Sequence, residues 1–232
     1  MNSEQCRATI HFILFTFHPL FRVATAIKIC GISRVEDALA AARLGAYALG
    51  LVFYGKSPRA IDVARAKAIA HALPPFITLV GLFVNPEKAQ VDEVIDAVPL
   101  NLLQFHGEEP PGFCGEFSLP YLKALRVRAG VDLLEYARAY SRARGLLLDA
   151  YVEGRQGGTG QAFDWTLISR DLSLPIILSG GLTAENVGAA IRRVRPWAVD
   201  VSSGVEARPG IKDSQKIAAF VKGVRDADLR LA

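Results

Sequence analysis

From Ala26 onward, short apolar runs alternate with longer stretches in which apolar residues recur at helical spacing. The runs cover 26–30, 47–53, 76–84, 101–105, 120–127, 145–149, 175–179 and 198–202. Amphipathic stretches follow them at 34–44, 62–73, 86–98, 110–117, 131–141, 164–170, 183–194 and 212–224. A run such as Ile77-Thr78-Leu79-Val80-Gly81-Leu82-Phe83-Val84 is nearly continuous in hydrophobicity. That pattern fits a parallel strand covered on both faces. Eight strand–helix repeats in strict order predict a single (β/α)8 TIM barrel of the α/β class. An open doubly wound sheet usually has fewer strands and a GxGxxG after its first. Here the first strand runs into Cys30-Gly31-Ile32-Ser33 instead. Pro74-Pro75 and Pro110-Pro111 fall where elements meet, so they punctuate one domain over 26–232 rather than divide it.

Composition narrows the partners. Hydrophobic residues make up 51% of the 232 positions and charged residues 22%, enough for a sizeable core. The formal charge is +4, yet no Lys/Arg run stands out and aromatics do not interleave with basic residues. Nucleic-acid binding is therefore poorly supported, and a small phosphorylated substrate accounts for the excess equally well. Cys6, Cys30 and Cys114 stand at unrelated spacings, which excludes a disulfide framework and a CxxC metal site. A reducing, cytoplasmic setting follows. The apolar run 11–17 is broken by His18 and Pro19 and is too short to span a bilayer, so no membrane association is expected. Residues 1–25 lack the basic start and clean cleavage site of a signal peptide and read as an extension outside the fold.

Chemistry concentrates at strand tips. Ile27-Lys28-Ile29-Cys30-Gly31 delivers a thiol to the end of the first strand, with Lys28 two residues back. Leu146-Leu147-Leu148-Asp149 delivers a carboxyl group to the end of the sixth. Capping explains Asp149 poorly, because the next helical pattern starts some 14 residues later. A titratable group at each tip suggests an acid–base pair on the catalytic face of a barrel. Gly157-Gly158-Thr159-Gly160, Ser179-Gly180-Gly181 and Ser202-Ser203-Gly204 end or follow the sixth, seventh and eighth strands. Glycine lets backbone N–H groups approach an anion, and loops seven and eight of barrels frequently hold phosphate. Gly158, Gly160, Gly180, Gly181, Ser202, Ser203 and Gly204 are thus the candidate phosphate ligands. Arg59, after the second strand, could clamp a carboxylate. Asp200 could face either the interior or the substrate, while Gln104 and His106 read as polar packing near the barrel mouth. Cys114, beside Phe113 and Phe117, fits a buried small hydrophobe.

Taken in order, these segments resemble the phosphoribosylanthranilate isomerase family of tryptophan biosynthesis. The resemblance is carried by KICGI at 28–32, GLVFYGKSPR at 50–59, VGLFVN at 80–85 and LQFHG at 103–107. LLDA at 147–150, GGTG at 157–160, FDW at 163–165, LSGGL at 178–182 and DVSSGVE at 200–206 complete it. It implies a barrel of the ribulose-phosphate-binding type, with Cys30 as general base, Asp149 as general acid and Arg59 on the anthranilate carboxylate. It also implies an Amadori rearrangement needing no cofactor and no metal, in a monomer or a homodimer. Gly55 stands where the family often has proline, and Phe105 where an aliphatic residue is common. Two rivals share the phosphate loops: the related histidine-pathway isomerase, which has aspartate in place of Cys30, and a non-catalytic metabolite-binding barrel.

Overall fold

The computed structural model describes residues 24–127, 130–149, 168 and 172–231. Eight parallel strands close into a barrel in sequential order. They are β1 (Ala26–Cys30), β2 (Ala48–Val52), β3 (Thr78–Phe83), β4 (Leu102–Phe105), β5 (Tyr121–Arg126), β6 (Gly145–Asp149), β7 (Ile176–Ser179) and β8 (Ala198–Val201). Closure pairs β1 with β8, aligning Lys28 with Asp200. The helices are α1 (Val35–Leu44), α2 (Val63–Ala72), α3 (Lys88–Ala97), α4 (Pro111–Cys114), α5 (Leu133–Ala139), α6 (Val187–Val194) and α7 (Ser214–Leu229). The predicted helix at 164–170 lies outside the described residues except for Ile168.

Two-residue periodicity sorts each strand into two faces. Ile27 and Ile29 face outward and join the main core with Ala38, Ala41 and Val224 of the surrounding helices. Inside the barrel, Leu122, Ala124, Leu147, Ile177 and Ala198 form one apolar layer. Cys30, Val52 and Leu82 pack together toward the other end, with Tyr54 and Val84 against them. Between these layers the interior turns polar, at Lys28, Gln104 and Asp200, all buried.

Local chemistry explains most boundaries. Asp62, Asp132 and Asp213 cap α2, α5 and α7 by accepting bonds from backbone N–H groups of the first turn. Gly45 closes α1 in the left-handed conformation at φ 102°. Three elements depart from the pattern read in the sequence. The stretch at 110–117 yields only the single turn of α4, opened by Pro111. The helix expected from 183 begins at Val187, because Asn186 Oδ1 accepts from Thr183 N and Asn186 Nδ2 donates to Gly181 O, stabilising a turn. A small antiparallel hairpin, β9 (Glu206–Arg208) and β10 (Ile211–Lys212), stands where the sequence showed only a loop and a helix start.

Phe105 sits on the outer face of β4 in an aromatic cluster. Its ring lies 5.7 to 6.3 Å from those of Phe83, Phe113, Phe117 and Tyr121. The unusual aromatic there thus fills the gap between barrel and α4. Thr25, on the expected boundary of the extension, is buried and bonds Asp228 of α7 through both its N and its Oγ1, each at 2.7 Å.

Candidate active site

Cys30 and Asp149 end β1 and β6 on the same rim of the barrel, the C-terminal one. Parallel strands guarantee that: every strand's C-terminal tip reaches that rim. Cys30 is 6% exposed and its thiol lies beside Lys28. Burial pushes the thiol above its ordinary value, while Lys28 and Lys212 pull it down and Asp200 opposes them. Asp149 is more open, with 21% of its side chain exposed, as expected of a group that meets a ligand.

His106 follows β4, and its Nε2 lies 3.4 Å from Asp149 Oδ2. Gln104 Nε2 donates to His106 Nδ1 at 3.0 Å, and in the tautomer that accepts this bond Nε2–H faces Asp149. His106 thus does more than the polar packing at the mouth that was read from the sequence. It orients the carboxyl group of Asp149, 43 positions away. The only sequence signal was that residues 104 and 106 share a strand face that points inward.

Arg59 lies over Gly31, which adopts φ 75° and has no room for a side chain. A Cβ there would sit 2.4 Å from Arg59 Cδ. The guanidinium is held in a fork: Nε and Nη2 each donate to Glu206 at 2.7 Å. That leaves the Nη1 edge for a carboxylate ligand. Glu206 also accepts from Lys212 Nζ at 2.9 Å and from Gly210 N at 3.3 Å. Burial raises the cost of ionising Glu206, but Arg59 and Lys212 outweigh it and hold its carboxyl below the usual range. The role of Glu206 was not foreseen, because nothing in a sequence marks the partner of an arginine 147 residues away.

Asp200 takes the inward of its two possible orientations. Its Oδ1 accepts from Lys28 Nζ at 2.8 Å and its Oδ2 from Ser179 Oγ at 3.2 Å. It is buried, and both its oxygens are engaged inside the barrel rather than aimed at a ligand.

The loops after β7 and β8 meet. Gly180 and Gly181 run at φ 88° and 60°, a left-handed path that glycine alone follows without strain. Gly204 packs so closely on the β7 loop that a Cβ would stand 2.0 Å from Leu182 O. Ser203–Val205 forms a 3-10 turn, and Ser202 is braced by Lys212 Nζ, 3.1 Å from its carbonyl oxygen. Gly158 and Gly160, the third expected phosphate loop, lie outside the described residues. Cys114 is fully buried in α4, donating to Glu109 O in the loop after β4, and its thiol is pushed up to about 11 by burial.

Comparison with known proteins places this geometry. The model of the N-(5'phosphoribosyl)anthranilate (PRA) isomerase family matches residues 27–223. An N-(5'-phosphoribosyl)anthranilate isomerase from Nitrosospira multiformis is 64% identical over 198 residues, covering 85% of this chain and 95% of that protein. The isomerase from Pseudomonas fluorescens strain SBW25 is 60% identical over 88% of this chain and 97% of its own length. Among solved structures, the phosphoribosyl anthranilate isomerase of Thermotoga maritima superposes with a TM-score of 0.82 at 44% identity, covering 87% of this chain and 99% of that one. Another, at TM-score 0.78 and 43% identity, over 87% of this chain and 99% of its own, is a complex with reduced 1-(o-carboxyphenylamino)-1-deoxyribulose 5-phosphate. With the strand order, the rim chemistry and the matched length in agreement, this chain belongs to the phosphoribosylanthranilate isomerase family.

Proposed function

We propose that Cys30 and Asp149 carry out the family's Amadori rearrangement of N-(5-phosphoribosyl)anthranilate in tryptophan biosynthesis. Protonated Asp149 gives its proton to the furanose ring oxygen as the bond from that oxygen to C1 breaks. The anilino nitrogen lone pair forms the C1=N double bond of a Schiff base. Cys30, as thiolate, then takes the proton from C2; the electron pair left behind forms the C1=C2 bond as the C1=N π pair returns to nitrogen, giving an enolamine. Tautomerisation moves the C2 hydroxyl proton to C1 and yields the ketone, 1-(2-carboxyphenylamino)-1-deoxyribulose 5-phosphate. Carbon C2 is oxidised and C1 reduced within one molecule; Asp149 ends as carboxylate and Cys30 as thiol, and proton exchange with water at the barrel mouth restores both.

The observation that carries this reading is the placement of Cys30 and Asp149 on one rim beside the joined β7 and β8 loops. Gly180, Gly181, Ser202, Ser203 and Gly204, with Gly158 and Gly160, would grip the phosphate at one end of the substrate. Arg59 would take the anthranilate carboxylate at the other. Anchoring both ends orients C2 between acid and base. Cys30 also separates this reading from an aspartate-based histidine-pathway isomerase, and the presence of both Cys30 and Asp149 disfavours a non-catalytic barrel.

The test is the loss of phosphoribosylanthranilate fluorescence catalysed by wild type, Cys30→Ser and Asp149→Asn. Losing a general base or acid costs about 10² to 10⁴ in rate, so kcat should fall that far in each variant. A folded Cys30→Ser protein with wild-type kcat would overturn the assignment.

We further propose a homodimer in the cytoplasm. Among the described residues, no helix is long and apolar enough to cross a membrane. One structural relative is described as monomers generated from the dimeric isomerase of Thermotoga maritima. In this chain Tyr47, Phe76 and Trp197 are exposed just before β2, β3 and β8, on the rim opposite the site. Phe76 stands 99% exposed beside a cavity of ≈ 260 Å³ lined by Ile27, Tyr47 and Val224. A second copy would cover that apolar face.

A further inference from the structure

Lys28 is a buried cation to which the mechanism above gives no task. It precedes Cys30 by two residues on β1, one strand period, so both side chains enter the barrel. Its Nζ lies 2.8 Å from Asp200 Oδ1, with both side chains no more than 5% exposed. A Cβ on Gly50 would fall 2.8 Å from Cys30 Sγ and 3.2 Å from Lys28 Nζ, so thiol and ammonium border one small space that the glycine keeps open. A buried ion pair costs desolvation that well-packed apolar residues would avoid, so stability alone is a weak reason for it.

The charges that face Cys30 come from four elements: Lys28 on β1, Asp200 on β8, Lys212 on β10 and Arg59 after β2. Glu206 on β9 pairs with the last two. Lys28, Lys212 and Arg59 as cations against two carboxylates leave one positive charge over, which a thiolate at Cys30 would neutralise; burial pulls the Lys212 ammonium down, and its pairing with Glu206 opposes that. In a buried cluster such an imbalance acts strongly, because little water screens it.

We propose that Lys28 is a positioning residue of the isomerisation: held in place by Asp200, its ammonium is the counter-ion of the thiolate form of Cys30. The inference rests on the reading of Cys30 as the base. The thiol proton leaves to water at the barrel mouth, and the ammonium keeps its three protons, directing one N–H at sulfur. Asp200 thereby contributes to catalysis through Lys28 rather than by touching substrate. Burial alone would lower the Lys28 ammonium, but Asp200 and Cys30 outweigh it and keep it charged.

The decisive variant is Lys28→Met, which removes the charge at similar length. Alkylation of Cys30 by iodoacetamide is followed against pH by peptide mass spectrometry, which separates it from Cys6 and Cys114. The midpoint of thiol ionisation should rise by about one pH unit or more, cutting alkylation near neutrality about tenfold. The acid limb of kcat/KM should move by the same amount, with KM little changed. An unchanged alkylation profile in the folded variant would reduce Lys28 to a structural ion pair. If Lys28→Met does not fold, because Asp200 is left buried without a partner, the double variant Lys28→Met/Asp200→Asn removes both charges. Lys28 acts on the thiol more strongly than Asp200, so the midpoint should again rise, and a wild-type profile would again overturn the proposal. Alkylation requires no turnover, so an active Cys30→Ser enzyme would sink the base assignment while leaving this measurement to judge Lys28 separately.

Discussion

At the scale of single residues, the site is built from side chains that constrain one another. Glu206 holds Arg59 with two bonds and Lys212 with a third, so Glu206→Gln should release both cations. Removing one partner of a buried ion pair costs about 3 to 5 kcal/mol. The partly exposed Arg59 contact adds little to that, and a loss of about 3 kcal/mol in urea denaturation at pH 7 is expected. The pH dependence follows from the depressed carboxyl of Glu206. A carboxylate held below its unfolded value of about 4.3 stabilises the fold above that pH. The contribution is lost as pH falls through the depressed folded value. Glu206→Gln should therefore flatten the acid side of a stability–pH curve, and an unaltered slope would count against the pairing. His106→Ala removes one hydrogen bond to Asp149, worth about 1 kcal/mol, so kcat should fall by roughly tenfold or less. That is far smaller than the effect of Asp149→Asn, because His106 orients the acid without donating to substrate.

At the scale of elements, the two faces of each strand divide the labour. Outward residues such as Ile27, Ile29 and Phe105 join barrel to helices, while inward Lys28, Cys30, Gln104 and Asp149 serve the site. Loop backbone matters as much where β7 and β8 end. Gly204→Ala would drive a methyl group into Leu182 O, and because the obstacle is backbone the loops must separate. Overpacking of this kind costs about 1 to 3 kcal/mol. If the two loops hold phosphate together, inhibition by inorganic phosphate should weaken about tenfold or more in Gly204→Ala, with Cys30 alkylation unaffected. Equal inhibition of variant and wild type would place the phosphate elsewhere. The boundaries of these elements were largely legible in the sequence: each of the eight runs contains one of the eight barrel strands. The late start of α6 shows local bonds outranking periodicity, through Asn186.

At the scale of the whole molecule, closure ties the entry to the first strand to the last helix. Thr25, entering β1, is bonded to Asp228 near the end of α7. Deleting residues 1–23 should leave folding and turnover unchanged, whereas deletion through Thr25 should lower Tm, since it removes two bonds that tie the last helix to the barrel. The opposite rim offers a separate test. Phe76→Lys should convert a dimer into a monomer by light scattering while kcat is retained, because the substitution lies at the far end of the strands from Cys30. By itself the sequence determined the repeat of strand and helix, the single barrel, and the residues that stand at strand tips. Those depend on periodicity and turn chemistry, which act over a few residues and are written locally. Only the tertiary structure decided which charges meet. Lys28 finds Asp200 across 172 positions and Arg59 finds Glu206 across 147, and both meetings depend on the barrel's closure. A one-residue slip between β1 and β8 would turn Asp200 away from Lys28, a choice made by packing throughout the barrel and by no local signal.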